Sequence, residues 1–280
     1  MSSISSAEFI NARPVNFVLL GHQRCGSNLL LRALTEHPQI RMLGEVMASD
    51  PKTRKMAWAW TAPEFDGYQS GHDGGEFLER TVFGSPPLEN LRAFGFKLFY
   101  DQARFDEFSQ TAWDYILGHD VRIVHLIRRN LFYALISLEV AERTNRWHQA
   151  IEQAGQQFPD LPPFELDPAR CRAYFDSITE WRTSVLKEFS AKDVLTIDYE
   201  NNLCKEFRET AFRVFRFLGT IPWHVRPGMI KQQTVTASRQ IANFDDLRGY
   251  FRHTPYQEFF ENGDSPDGIR PATLTRISFR

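Results

Sequence analysis

The residues most able to do chemistry begin at Gly21. The run Gly21-His22-Gln23-Arg24-Cys25-Gly26-Ser27-Asn28 sets an arginine between two glycines and two side-chain donors after the second glycine. It follows the apolar, β-forming segment Val15–Leu20 and opens a leucine-spaced helical segment, Asn28–Glu36, that stops before Pro38. Backbone N–H groups in such a turn, with the helix N-terminus behind them, form an anion site. Gly26 lets the backbone approach phosphate oxygens with no side chain in the way. Arg24, Cys25, Gly26, Ser27, Asn28 and Leu29 are therefore candidate phosphate-binding residues. A triphosphate loop would carry lysine where Ser27 stands. No acidic residue closes the later strand Val121–Ile127, where a magnesium-holding aspartate would be expected. The loop reads as built for phosphate without a magnesium triphosphate.

A second cationic element lies in His125–Ser137, at the end of the clearest apolar strand. Arg128 and Arg129 are adjacent and point in different directions. Ser137 follows Arg129 by eight residues, roughly 12 Å along a straight helix. An arginine at the strand end, reaching back over the helix, could share one phosphate with Ser137, and its planar fork suits phosphate oxygens. Arg128 reads as a surface ion-pair residue. His125, on an apolar strand, reads as a core histidine.

These groups need a scaffold. Val15–Leu20, Ile40–Gly44, Ala93–Tyr100, Val121–Ile127 and Asp193–Asp198 read as strands. Asn28–Glu36, Arg104–Leu117, Leu131–Arg143, Ala169–Phe189 and Glu200–Leu218 read as helices, the last ended by Gly219. Such alternation predicts an α/β fold: a P-loop-like three-layer arrangement with a central parallel sheet flanked by helices. Residues 50–90 read as loop-rich with one or two helices, and 155–168, with four prolines, as a linker-like excursion. The expected organisation is a flexible arm over 1–14 and one domain over 15–280.

The chain has 280 residues, 42% hydrophobic and 24% charged, with a net charge of −2. That balance argues against a nucleic-acid partner. Cys25, Cys171 and Cys204 give neither a disulfide framework nor a zinc pattern, and no metal site is expected. There is no signal-peptide pattern and no membrane-span run. The expected setting is cytoplasmic, without stable membrane insertion; homo-oligomerisation is left open.

Taken together, these residues resemble the PAPS-dependent sulfotransferase family. Arg24–Asn28 resembles its 5′-phosphosulfate loop, and Arg129 with Ser137 resembles its 3′-phosphate segment. The turn Ile197–Leu203, with the helix ending Phe217-Leu218-Gly219, is similar to a third family element. The nearest likeness is to the nodulation-factor sulfotransferases, in Leu43–Glu45, Glu142–Trp147, Cys171–Phe175, 231–251 and 255–263. Departures are Asn28 where many members carry Thr or His, and Leu131 where many carry Pro.

The resemblance implies sulfuryl transfer from PAPS to a hydroxyl of a carbohydrate or glycolipid, plausibly a chitooligosaccharide-type lipid, releasing PAP. Rival readings are a kinase-like P-loop phosphotransferase and a non-catalytic nucleotide or glycan binder. Glu45, at a strand C-terminal end, is the candidate general base, with His22 the alternative. Arg24 would contact the sulfuryl group and 5′-phosphate. Lys97 would meet the leaving oxygen, Tyr199 the adenine, and Lys231 and Arg239 would close over the nucleotide. Trp58, Trp60 and Trp147 could stack on sugar rings.

Overall fold

The computed structural model describes residues 13–49, 52–53, 73–84, 90–103, 106–147, 161–228 and 236–261. Five strands form one parallel sheet in the order β2-β3-β1-β4-β5: β1 Val15–Gly21, β2 Ile40–Leu43, β3 Ala93–Phe99, β4 Val121–Ile127 and β5 Val194–Asp198. The chain leaves β1 toward one edge to make β2 and β3, then crosses β1 to make β4 and β5. The turn after β1 thus lies at the point where the strand order reverses, where open α/β sheets bind ligands.

Alternation along each strand separates the two faces. Phe17 and Leu19 of β1, with Val124 and Leu126 of β4, pack against α1 (Ser27–Thr35) and the later helix Phe207–Phe217. Val18, Leu20, Phe94, Phe96 and Ile123 face the opposite layer. That layer includes α2 (Gly74–Glu76, continuing as a π-helical turn, Phe77–Val82), α3 (Glu107–Gly118), α4 (Leu131–Thr144) and α5 (Pro168–Glu188). The expected three-layer parallel-sheet fold is therefore present. Gly95 lies opposite Phe17 in register, where a Cβ would stand 2.7 Å from the Phe17 ring. By the same parity Lys97 projects toward the α1 layer.

Helix boundaries follow their caps. Asp106 and Ser109 form a capping box, so α3 begins at Glu107 and not at Arg104. Asp167 caps α5, and Pro168 occupies its first turn. The expected continuous helix Glu200–Leu218 is broken. Asn202 Oδ1 accepts from the Asp198 amide at 2.9 Å, and Asp198 Oδ1 accepts from the Asn201 amide at 2.8 Å. These side-chain bonds compete with regular helix. They hold Tyr199–Leu203 as a separate π-helical turn, and α6 starts afresh at Phe207 and runs to Phe217. Gly219, at φ 72°, ends α6 as expected: its amide bonds Arg216 O while that of Thr220 bonds Phe215 O. The short helix α7 (Ala237–Gln240) is followed by α8 (Phe244–Tyr250) and α9 (Glu258–Glu261), which with Phe251 pack aromatic side chains on α4 and α5.

Candidate active site

All five strands end at one edge, so the residues just beyond them converge. After β1 the turn is tight. The Cys25 amide bonds His22 O, Arg24 adopts φ 65° and Gly26 φ 95°. No side chain caps α1 and no acidic residue stands in its first turn, so the helix dipole and its first amides keep their affinity for an anion. Gly26 is required twice over: its φ is left-handed, and a Cβ would lie 2.4 Å from the Tyr199 ring.

Beside this turn Lys97 Nζ lies 2.8 Å from Glu45 Oε1 and donates to Asn28 Oδ1 at 2.7 Å. The other oxygen, Glu45 Oε2, accepts from Gln102 Nε2 at 2.8 Å. Gln102 is itself fixed, its Oε1 accepting from the Phe99 amide at 3.0 Å. A carboxylate, a buried ammonium and a helix N-terminus thus meet within single hydrogen bonds. Each carboxylate oxygen keeps a lone pair for an incoming hydroxyl.

No family model matches the chain. Nodulation protein H of Rhizobium tropici is 29% identical over 261 residues, 90% of this chain and 95% of that protein. Nodulation protein H of Rhizobium meliloti is 27% identical over 255 residues, covering 89% and 96%. The chain is thus similar to nodulation protein H over nearly the whole length of both proteins. Among solved structures, a sulfotransferase from Alicyclobacillus acidocaldarius overlays this one with a TM-score of 0.46 at 19% identity, covering 86% of this chain and 92% of that one. Mouse sulfotransferase SULT7A1, complexed with PAP, overlays at 0.43 and 17% identity, covering 95% and 85%. Both overlays are loose, and the fold stands on the sheet order described above.

The second cationic element is held by protein partners. Arg129 and Ser137 are not hydrogen-bonded to each other but to separate partners. The Arg129 guanidinium pairs with Asp198, and its backbone amide and that of Asn130 donate to Glu200 at 2.9 and 3.0 Å. Ser137 Oγ instead accepts from Arg24 Nε at 2.9 Å, and Arg24 also donates to the Trp147 carbonyl. Burial and the neighbouring Arg128 charge lower the Arg24 pKa to about 10, so it remains a cation at neutral pH.

Arg128 is not a surface ion-pair residue. It is buried, donates to Arg24 O at 3.0 Å and lies over the Tyr199 ring at 4.7 Å, bracing the loop from behind. Tyr199 packs on Gly26, and burial keeps its phenol protonated. Cys25 is buried and its thiol is pushed up. Ser27 is buried at the start of α1, and Leu29 follows Asn28 on the same turn. Arg239 is exposed on α7, with no described contact to the loop. Lys231, Trp58 and Trp60 lie outside the described residues.

His22 is 3% exposed, with Nδ1 2.8 Å from Gln23 O; burial lowers its pKa to about 3. His125 is a core histidine as expected, 2.6 Å from the Tyr100 hydroxyl and lowered by burial to about 4. Sequence reasoning missed the loop brace Arg128, and Gln102, which fixes Glu45. Neither sits in a spaced motif; only the end of β3 hinted that Gln102 would stand at the site's edge.

Proposed function

We propose that this protein is a sulfotransferase that transfers the sulfuryl group of PAPS to a hydroxyl of a carbohydrate or glycolipid of the chitooligosaccharide type, yielding PAP and a sulfate ester. The observation that carries this reading is the Glu45–Lys97–Asn28 cluster set against the uncapped start of α1. In that arrangement the acceptor oxygen bonds to sulfur as the bond from sulfur to the bridging oxygen breaks. Glu45 takes the acceptor proton, a role worth ~10²–10⁴-fold. Lys97, held between Glu45 and α1, stabilises charge on the departing bridging oxygen.

His22 is the weaker base: an imidazole with a pKa lowered to about 3 has little drive to take a proton at neutral pH. The α1 amides with Arg24, Ser27 and Asn28 would hold the 5′ end of the nucleotide. Arg129, Ser137 and Tyr199, with Lys231 and Arg239, would hold the 3′-phosphate and adenosine. Arg129 would exchange Asp198 for phosphate. The thiols Cys25 and Cys171 are free and buried, in keeping with a reducing, cytoplasmic setting.

Thermal unfolding in the presence of PAP, or of ATP with magnesium, tests this. PAP should raise the unfolding midpoint by several degrees without added metal, and ATP with magnesium should raise it less. No shift with PAP would sink the reading.

A further inference from the structure

The Arg129 guanidinium, offered above to the 3′-phosphate, already holds an anion. Its Nε donates to Oδ2 of Asp198, the last residue of β5. No other hydrogen bond or ion pair of this guanidinium is found among the described residues. The two partners differ in freedom: the Asp198 side chain is 10% exposed and that of Arg129 67%.

Asp198 is fixed from two sides. Its Oδ1 accepts from the Asn201 amide at 2.8 Å, and its own amide donates to Asn202 Oδ1 at 2.9 Å. The Arg129 backbone is fixed as well. Its amide donates to both oxygens of Glu200, at 3.1 and 2.9 Å, and the Asn130 amide donates to Glu200 Oε1 at 3.0 Å. The part left free to move is the Arg129 side chain. It can leave Asp198 by rotamer changes alone, with β4, β5 and the start of α4 in place.

We infer that Asp198 is an internal competitor for the 3′-phosphate: it occupies the guanidinium edge that the phosphate needs, so PAP displaces it on arrival and it reclaims Arg129 as PAP departs. This rests on the PAPS reading proposed above. A carboxylate carries one negative charge and a phosphate monoester close to two, so the phosphate wins the arginine when both are present. The gain is reduced by the contact that Asp198 gives up. The displaced carboxylate then stands near the phosphate as a like charge. Both effects weaken PAP binding and quicken its departure, and product release is the slow step in many enzymes. A nucleotide without a 3′-phosphate leaves the pair intact and feels neither effect.

Asp198→Asn isolates the carboxylate, because asparagine keeps Oδ1 for the Asn201 amide and removes the charge beside Arg129. Calorimetric titration should show PAP binding about three- to tenfold tighter than in wild type, the scale of one partly exposed ion pair. Stopped-flow displacement should place most of that change in the PAP dissociation rate. AMP, which lacks the 3′-phosphate, should bind both proteins with the same affinity. In an Arg129→Ala background the same substitution should lose most of its effect, because no guanidinium is left to compete for. The ratio of PAP to AMP affinity is the readout, since a general loss of structure lowers both. An unchanged or lower ratio in Asp198→Asn overturns the inference, as does an equal gain in the Arg129→Ala background. Wild type offers a check that needs no variant: the Arg129 Nε–H resonance should shift with PAP and stay in place with AMP. The same response to both nucleotides again overturns it. Wild type that binds no PAP would instead remove the PAPS reading itself, and Arg129→Ala with undiminished PAP affinity would remove the second anchor.

Discussion

Acidification should destabilise this protein through two buried histidines. His22, in the phosphate loop, and His125, on β4, are buried with folded pKa values of about 3 and about 4. In the unfolded chain both return to about 6.5. The folded values are depressed, so their contribution is fully present above pH 6.5. It is lost as pH falls toward the folded values, because the unfolded chain binds protons that the folded chain refuses. Between pH 7 and pH 5 each histidine should remove about 2 kcal/mol, about 4 together, on the scale of 1.36 kcal/mol per pKa unit. That is a large share of the roughly 5–15 kcal/mol that holds a domain folded. The assay is urea unfolding at both pH values for wild type, His22→Asn and His125→Gln. Asparagine can keep the bond to Gln23 O, and glutamine the bond to Tyr100. Each variant should lose about 2 kcal/mol of the pH-dependent drop, whatever its stability at pH 7. Variants with the same pH dependence as wild type would refute the assignment of buried, neutral imidazoles.

Two further outcomes concern the nucleotide site. Arg129→Ala should weaken PAP binding about tenfold or more, the scale of a lost charge-assisted phosphate contact. Ser137→Ala should weaken it less, and calorimetric titration with PAP reads both; equal affinity to wild type in both variants would remove the second anchor. Gly26→Ala places a Cβ against the Tyr199 ring in a left-handed backbone. It should destabilise the protein by about 1–3 kcal/mol in thermal unfolding and weaken PAP binding in parallel.

The sheet was legible because its strands are short apolar runs ending at turn residues. Val121–Ile127 was placed residue for residue, and Ala93–Phe99 within one residue. Long helices were legible from their spacing, their ends less so. The Asp106 cap moved one start, and the Asp198, Asn201 and Asn202 side chains split what reads as a single helix. In the site, Glu45 and Lys97 were found one at a time; their contact depends on the pairing of β2 with β3 and on strand parity, which no local spacing reveals. Arg129 and Ser137 stand at the expected spacing but hold other partners, because Asp198 and Glu200 at the end of β5 lie next to Arg129. Arg128 looked like a surface charge because the chain gives no sign that Tyr199 will lie beneath it.

The central claim is that Glu45 takes the acceptor proton during sulfuryl transfer from PAPS. The most direct measurement is transfer of labelled sulfate from PAPS to a chitooligosaccharide by wild type and by Glu45→Gln, each shown beforehand to bind PAP with equal affinity. The account predicts turnover by wild type and a loss of ~10²-fold or more in the variant. Equal turnover in the two proteins, or no sulfate transferred by wild type, would contradict it.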